Sequence, residues 1–320
     1  MLKKMLNAVR VEVSLTPLDP LLVKSGQASV SGADMAFVRT YRSSGEPEPF
    51  LPGSSLKGVV RSYAEKICRS LKDRPVPVCL PYLKPDDARG DEARQGSCGL
   101  WLEKHKRDRN RDSAPNPDVY RLCCPACRLF GCHSFVGRFA VSDGYVCDGS
   151  WNLETRDGVA IDRFTGGAAA QAKYDLEVLT GGKFRAEIEV RNFERWQLGL
   201  VALVLRDMED GLVRVGSGKS RGLGRVTAEI DSFVVRYYGR EVEHLTGLWG
   251  LCSDEERRAY GLHAEESAGA PLPPGERRGL RLEHEIKDRW KEAAEAGVSD
   301  LTAFLEASRW PEPLESYRLP

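Results

Sequence analysis

The spacing of apolar residues divides the chain into short strands and two well-defined helices. Apolar and polar residues alternate over positions 9–15, which predicts a strand. From residue 56 to residue 71 the apolar positions recur every three or four residues, which predicts an amphipathic helix. The Pro-Gly-Ser-Ser run at 52–55 precedes it and predicts a serine-capped start.

The second half of the chain repeats this order. Residues 135–146 and 184–190 are predicted as strands, residues 196–208 as a buried helix, and residues 226–230 as a last strand. The order strand, helix, strand, strand, helix, strand predicts an α+β fold with a ferredoxin-like, RRM-like βαββαβ core.

Long segments interrupt and follow this core. Residues 73–134 form an irregular insertion, and residues 148–182 are predicted as a long hairpin. The core domain is therefore assigned to residues 1–240 and a helical C-terminal extension to residues 241–320. In the extension, apolar residues four apart predict a helix, and a Pro-, Gly- and Ala-rich segment predicts a linker. The helix positions are Leu282, Ile286, Trp290 and Ala294, and the linker is 265–280.

The composition and charge of the chain are those of a globular protein. The 320 residues are 41% hydrophobic and 29% charged, a globular profile. No apolar run is long enough to span a membrane, and the N-terminus shows strand alternation rather than a signal-peptide core, so we expect a cytoplasmic protein. Net charge is zero, but residues 251–320 hold 10 basic and 15 acidic residues, against 37 and 32 in residues 1–250. A mildly basic body favours contact with nucleic acid.

A glycine-rich run at 216–224 is the first candidate binding segment. Its glycines allow positive φ and close approach of a ligand, and its polar side chains could bind phosphate. It lacks the residue order of a P-loop or a dinucleotide fingerprint. A flexible connection without a ligand is the alternative. The residues concerned are Gly216, Gly218, Lys219, Ser220, Arg221, Gly222 and Gly224.

The start of the first helix is the second candidate. Unpaired N–H groups at a helix N-terminus attract anions. Ser54 and Ser55 add hydroxyl donors, and Lys57 and Arg61 follow within two turns. A simple capped helix with solvated cations is the alternative.

The nine cysteines favour a metal site over disulfides. Cys124-x₂-Cys127 is typical of a zinc knuckle, and Cys132 is predicted as the third ligand. The fourth stays open between Cys98, which we place in the predicted set, and four alternatives: Cys79, Cys123, His105 and His133. Cys68, Cys147 and Cys252 are expected inside the protein as small apolar residues.

Three segments together resemble the RAMP (repeat-associated mysterious protein) superfamily. They are Phe50-Leu-Pro-Gly-Ser-Ser-Leu-Lys-Gly58 followed by Arg61, Gly158-Val-Ala-Ile-Asp-Arg-Phe-Thr-Gly166, and Ser217-Gly-Lys-Ser-Arg-Gly-Leu-Gly-Arg-Val226. The resemblance spans residues 9–232 and is to Csm- and Cmr-type backbone subunits of type III CRISPR effectors. The cysteine segment resembles the zinc knuckle of the same subunits, and suggests a type III-D or III-A relative.

The resemblance implies partners, cofactors and roles. The partners are a CRISPR guide RNA (crRNA), complementary single-stranded target RNA, neighbouring RAMP subunits and a large subunit, with no membrane. Zn²⁺ is structural. The hairpin is thumb-like, with Arg163 and Phe164 acting as a wedge, although Phe164 could also be a core residue. Asp34 occupies the place of the acidic residue that, with Mg²⁺ or Mn²⁺, cleaves target RNA.

Three alternatives remain open from the sequence. The chain could be a non-catalytic scaffold or capping subunit of the same complex, in which Asp34 only caps a turn. It could be a guide-processing endoribonuclease, a class that commonly relies on histidine. It could also be an unrelated zinc-stabilised binding module.

Overall fold

The computed structural model describes residues 3–25, 33–41, 45–82, 96–108, 116–308 and 310. Its strands are β1 (Asn7–Pro17), β2 (Arg39–Tyr41), β3 (Pro47–Leu51), β4 (Gly131–Cys132), β5 (Phe135–Val136), β6 (Phe139–Val141), β7 (Gly144–Val146), β8 (Asn152–Ile161), β9 (Ala168–Gly181), β10 (Phe184–Arg191), β11 (Val226–Tyr238), β12 (Glu276–Arg278) and β13 (Arg281–Glu285). Its helices are α1 (Gly53–Leu71), α2 (Cys98–Asp108), α3 (Asn116–Leu122), α4 (Pro125–Phe130), α5 (Arg195–Glu209), α6 (Leu248–Leu251), α7 (Asp254–Tyr260) and α8 (Trp290–Ala307), with a 3₁₀ turn at Lys287–Arg289.

An antiparallel sheet forms the centre of the molecule. Its middle strands lie in the order β11, β1, β10 and β7, and β6 also pairs with β10. The buried residues of β1 sit opposite buried residues of both neighbours; Val11, for example, pairs with Ile188 and Phe233. Helix α1 follows β1 after the short strands β2 and β3, and helix α5 connects β10 to β11. The predicted α+β class is confirmed, and the element order strand, helix, strand, strand, helix, strand is present in this sheet.

The insertion and the hairpin are more structured than periodicity indicates. The insertion contains the short helices α2, α3 and α4, and the strand predicted over 135–146 is broken into β5, β6 and β7. Strands β8 and β9 pair as an antiparallel hairpin whose β8 residues are almost all exposed. The base of the hairpin packs against the body, where Leu176 and Val178 of β9 form a small apolar cluster with Leu22 and Leu223.

A helix is predicted to begin at Leu282, and this prediction is wrong for the first residues of that helix. Arg281–Glu285 is strand β13, paired with β11, and α8 starts only at Trp290. Residues four apart share a face of a strand as well as a face of a helix, because four is twice the strand period. The spacing of Leu282 and Ile286 therefore fits both elements, and pairing with β11 decides between them.

The C-terminal residues pack on the body of the protein. Helix α8 lies against α5, where Trp196 stacks on Phe304 at 4.2 Å between ring centroids. The buried Arg195 Nε donates to Asp300 Oδ2 at 2.5 Å, and Arg195 Nη2 donates to the Ser267 carbonyl at 2.7 Å. The segment predicted as a linker is thus held by hydrogen bonds to α5. None of the helices in the described part of the chain combines the length and apolar character that a membrane span needs.

The crossing of α5 and α8 depends on two glycines. A Cβ on Gly199 would lie 2.1 Å from the carbonyl carbon of Gly297, so the two backbones are in direct contact. We expect Gly199→Ala to lower the free energy of unfolding by about 2 kcal/mol or more, since the helices must separate. Urea unfolding of the purified protein measures this.

Gly58→Ala is the matched control, because a Cβ on Gly58 of α1 would meet no atom within 4 Å. It should raise the unfolding free energy by about 0.5–1 kcal/mol through helix propensity. Equal effects of the two substitutions would contradict the close crossing.

Candidate nucleic-acid interface and metal centre

An open groove of about 520 Å³ lies between three segments of the chain. They are the segment after β1 (residues 22–24), the first turns of α1 and the glycine-rich run. Two of the motifs that are far apart in sequence therefore line one concave surface. Its lining residues are Leu22, Val23, Lys24, Pro52, Ser54, Ser55, Gly58, Val59, Ser62, Gly216, Ser217 and Lys219.

Helix α1 begins at Gly53, and both serines lie inside its first turn. The predicted serine cap is wrong, because Pro52 is the capping residue and no side chain of this segment caps the helix. The Gly53 N–H instead donates to Asp143 Oδ1 at 2.7 Å. The serine hydroxyls are therefore not needed for capping and line the groove.

The glycine-rich run has the backbone that its composition predicts. Gly216, Gly218, Gly222 and Gly224 all have positive φ, between 73° and 100°. At Gly216 a Cβ would lie 2.4 Å from the Leu22 carbonyl oxygen, so only glycine fits this approach. The Ser217 N–H donates to the same oxygen at 2.8 Å. The run is therefore held against the segment after β1.

The cations of the run differ in what they contact. Lys219 is exposed and lines the groove with Lys24. Partial burial lowers the pKa of Lys219, and the charge of Lys66 on α1 lowers it further. An anion bound in the groove would stabilise the charged form of Lys219 and so offset both effects. Arg221 points elsewhere, since its Nη1 donates to the Tyr174 hydroxyl of β9 at 2.9 Å. Ser220, also exposed, is not among the lining residues.

Arg61 faces the cysteines rather than the groove. Its guanidinium donates to Cys127 Sγ at 3.3 Å, to the Gly131 carbonyl at 3.0 Å and to Glu65 Oε1 at 3.0 Å. Burial opposes its charge, but the Cys127 sulfur and Glu65 outweigh burial, and the pKa of Arg61 is raised. The prediction that Arg61 reaches phosphate is corrected: its donors are occupied around the cysteine group. Lys57 is half-buried, and burial and the neighbouring Arg61 lower its pKa.

Four buried cysteines form a compact group. Their sulfur atoms all lie within 4.8 Å of one another, and Cys79 Sγ is 3.6 Å from Cys127 Sγ. The Cys127 N–H donates to Cys124 Sγ at 3.4 Å, at the start of α4. The Cys124 N–H donates to Cys98 Sγ at 3.4 Å. The group thus joins residue 79, the start of α2 and the knuckle at 124–127.

The chemistry of this donor set fits Zn²⁺. Four thiolates bound tetrahedrally at about 2.3 Å lie about 3.8 Å apart, close to the observed separations. The thiols share protons: hydrogen bonds from Cys124, Cys127 and Cys98 lower the pKa of Cys79, whereas the hydrogen bond with Cys124 raises that of Cys127. All four cannot be thiolates without a cation between them. Arg61 supplies one positive charge beside the group, which favours the deprotonated set.

Cys132 does not belong to this group. Its Sγ lies 3.9 Å from Cys123 Sγ, and Cys79 occupies the fourth position instead. The predicted ligand set is therefore wrong at one residue, Cys132. The sequence pattern did not single out Cys79, because it lies 19 residues before the next cysteine of the group and is not part of a knuckle motif. His133 pairs with Glu103 at 3.0 Å. Cys68 and Cys252 are buried as expected, but Cys147 is exposed.

Asp34 lies beside the base of the hairpin. Its Oδ2 accepts a hydrogen bond from the Asp175 N–H at 3.1 Å. Asp157 is directly opposite Asp175 in the hairpin register, and their shared hydrogen bond, with burial and the charges of Asp157 and Asp34, raises the pKa of Asp175. Sequence reasoning missed both hairpin carboxylates, although their positions flank the Gly158 motif. Three carboxylates thus meet where the hairpin joins the body.

The tip of the hairpin presents an apolar side chain to solvent. Phe164 is 100% exposed, so it is not a core residue, and Arg163 beside it is exposed as well. Asp162 Oδ1 accepts hydrogen bonds from the N–H groups of Phe164, at 2.7 Å, and Thr165, at 3.0 Å. These bonds fix the turn and lower the pKa of Asp162. The turn therefore holds Phe164 outward.

The sheet face away from α1 and α5 offers no comparable cationic surface on its central strands. There Arg10 pairs with Glu187 at 2.6 Å, and Arg185 pairs with Asp231 at 3.2 Å. Cross-strand charge pairs leave little net positive potential for a phosphate backbone. Among the described surfaces, the groove is the better candidate for nucleic acid.

The chain matches the model of a known protein family. The family model of the RAMP superfamily matches residues 14–227, from β1 to the start of β11. No curated protein matches the chain. The matched region contains the groove, the hairpin and all four cysteines of the group.

Exchanging single cysteines tests the ligand set. We expect Cys79→Ser to weaken zinc binding by more than about 100-fold, beyond the range for groups that only orient a ligand, because a metal–sulfur bond is lost. Cys132→Ser is the matched control and should bind one zinc like the unmodified protein. Zinc content after dialysis against a chelator measures both. Loss of zinc in Cys132→Ser with retention in Cys79→Ser would contradict the assignment.

Proposed function

Because the chain belongs to the RAMP superfamily, we propose that it is a guide-RNA-binding backbone subunit of a type III CRISPR ribonucleoprotein that cleaves complementary target RNA. The observation that carries this proposal is the groove, which joins the start of α1 and the glycine-rich run on one surface. The sheet order β11, β1, β10, β7 supports a ferredoxin-like core for such a subunit. Neighbouring RAMP subunits and a large subunit complete the complex.

Guide RNA binds in the groove through its phosphates. The serine hydroxyls of α1, the backbone of the glycine-rich run and two lysines face the same space. Phosphate contacts of this kind fix position without reading sequence, as a guide-holding subunit requires. Arg221 and Lys57 lie beside the groove and are secondary contacts, and Arg61 acts through the cysteine group.

The hairpin separates bases of the guide–target duplex. Its strands project from the body with exposed side chains, and its turn presents Phe164 beside Arg163. A fully exposed aromatic ring has no buried contacts to lose, and its stacking on a base offsets the cost of unstacking the base step that it enters. Hydrogen bonding of Arg221 to Tyr174 links this thumb-like hairpin to the groove.

Asp34 is the group proposed to act on target RNA. It lies beside Asp175 of β9, where the hairpin meets the body, and we place a nucleotide of the target strand there. Its carboxylate orients the 2′-hydroxyl of such a nucleotide toward the adjacent phosphate, and Asp157 and Asp175 are carboxylates that could share a cation with it. Mg²⁺ or Mn²⁺ bound there would supply charge neutralisation at the phosphate.

A zinc ion in the four-cysteine group has a structural role. The group is buried, and four protein ligands leave no position for a substrate. It fixes the insertion to α1 through Arg61.

A second candidate function is that of a non-catalytic scaffold in the same complex. The Asp175 N–H bond to Asp34 favours it, since a carboxylate that anchors a loop to the hairpin needs no catalytic role. A guide-processing nuclease is less well supported, because no histidine of the described residues lines the groove. An unrelated binding module is excluded by the family match.

Removing the two groove lysines tests RNA binding. We expect Lys24→Ala with Lys219→Ala to weaken guide-length RNA binding on the order of tenfold and to reduce the salt dependence of log affinity by about 1.4, from two lost phosphate contacts. Fluorescence anisotropy across a salt series measures both values.

Lys287→Ala with Lys291→Ala removes the same charge from the C-terminal region and serves as the control. Its affinity and slope should stay close to those of the unmodified protein. An equal loss in both double variants would mean that net charge, not the groove, governs binding.

Asp34→Asn tests catalysis without breaking the contact between Asp34 and the hairpin, because the amide oxygen can still accept from the Asp175 N–H. In the reconstituted complex we expect target-RNA cleavage to fall by about 100-fold or more while guide binding is kept. Asp254→Asn, an exposed aspartate of α7, is the control. Unchanged cleavage in Asp34→Asn would favour the scaffold function and leave RNA binding standing.

A further inference from the structure

Two cysteines outside the zinc group face each other. Cys123 Sγ and Cys132 Sγ are 3.9 Å apart, and neither belongs to the four sulfurs that lie within 4.8 Å of one another. Cys123 is 1% exposed, whereas Cys132 is half-buried. The proposed function uses neither thiol.

Of the two cysteines, Cys132 is the one that solvent reaches. Cys132 lies on β4, in a two-stranded hairpin with β5 whose residues His133 and Val136 are well exposed. Cys123 lies behind it and is held in place, because the Arg128 Nε donates to its carbonyl at 3.2 Å and its N–H donates to the Tyr120 carbonyl at 3.2 Å. A small reagent therefore meets Cys132 first, and Cys123 is positioned to react second.

We propose that Cys123 and Cys132 form a redox-responsive pair that closes an intramolecular disulfide in the presence of a low-molecular-weight disulfide such as oxidised glutathione. The sulfurs must approach by about 1.9 Å to reach the S–S bond length of about 2.05 Å, a movement within the range of side-chain rotation. Buried cysteines without a neighbouring thiol cannot react in this way.

The reaction consumes one glutathione disulfide and needs no metal. The Cys132 sulfur attacks oxidised glutathione, the glutathione S–S bond breaks, and one reduced glutathione leaves with the Cys132 proton. The Cys123 sulfur then attacks the mixed disulfide at Cys132, and the second glutathione leaves with the Cys123 proton. The two thiols are oxidised to one disulfide, and one glutathione disulfide is reduced to two thiols.

The disulfide would enclose the zinc knuckle. The segment from 123 to 132 contains α4 and the ligands Cys124 and Cys127. Closing this short loop restricts the unfolded segment, so oxidation should slow the release of zinc rather than cause it. The pair is thus a covalent lock on the segment that supplies two of the four ligands.

Peptide mapping of the full-length, zinc-loaded protein tests the inference. Cys147→Ser is used as the background, because Cys147 is an exposed cysteine that would form a mixed disulfide with glutathione. After treatment with oxidised glutathione, we expect a Cys123–Cys132 disulfide, retained zinc and slower zinc transfer to a chelator. Reduction with dithiothreitol should restore the original transfer rate.

Further variants separate the steps. Cys123→Ser should stop at a glutathione adduct on Cys132, and Cys132→Ser should leave Cys123 unmodified. The inference is overturned if the background protein keeps both thiols, if it accumulates the Cys132 adduct, or if the disulfide includes a cysteine of the zinc group with loss of zinc. The background protein keeps both Cys123 and Cys132. Its peptide map therefore tests the inference even if a variant at the pair folds poorly.

Discussion

Helix α1 can contact the sheet, the groove and the cysteine group at once in only one rotational setting about its axis. Leu56, Val60 and Ala64 are buried and face the core. Ser55 and Ser62 are on the face that lines the groove. A rotation of one residue, about 100°, would bury hydroxyls and expose leucine, so packing of the apolar face against the sheet determines where the functional faces point.

A third face of α1 carries Arg61 and Glu65, and it connects the helix that lines the proposed RNA site to the cysteine group. Arg61 joins α1 to Cys127 and Gly131, and Glu65 joins Arg61 to Arg69. A guanidinium beside four thiolates is stabilised by them, and a buried thiolate set is stabilised by the guanidinium. The insertion, irregular by sequence, therefore becomes a fixed support for the helix that lines the groove.

The groove and the hairpin form one surface through a few contacts. Gly158 leaves room for the Tyr174 ring on the opposite strand, since a Cβ there would lie 2.2 Å from it. The Tyr174 hydroxyl accepts from Arg221 of the glycine-rich run, and Leu223 of the run packs with Leu176 of the hairpin. Motifs more than 40 residues apart are thus connected, which supports a continuous RNA path from groove to hairpin tip.

The sequence alone determined what depends on local chemistry. Apolar periodicity identified the central strands and helices, and the glycines at 216–224 identified a run with positive φ. Both signals arise within a few residues, because the pleat, the helical turn and the φ range of glycine are local properties. The knuckle at Cys124 and Cys127 was identified for the same reason.

Only the tertiary structure decided which distant groups meet. Cys79 replaces Cys132 in the metal group, Arg61 points to that group instead of phosphate, and Asp175 lies beside Asp34. Residues 281–285 are a strand because β11 offers an unpaired edge. Such contacts follow from how insertions and edges pack over long sequence separations, and no local spacing encodes them.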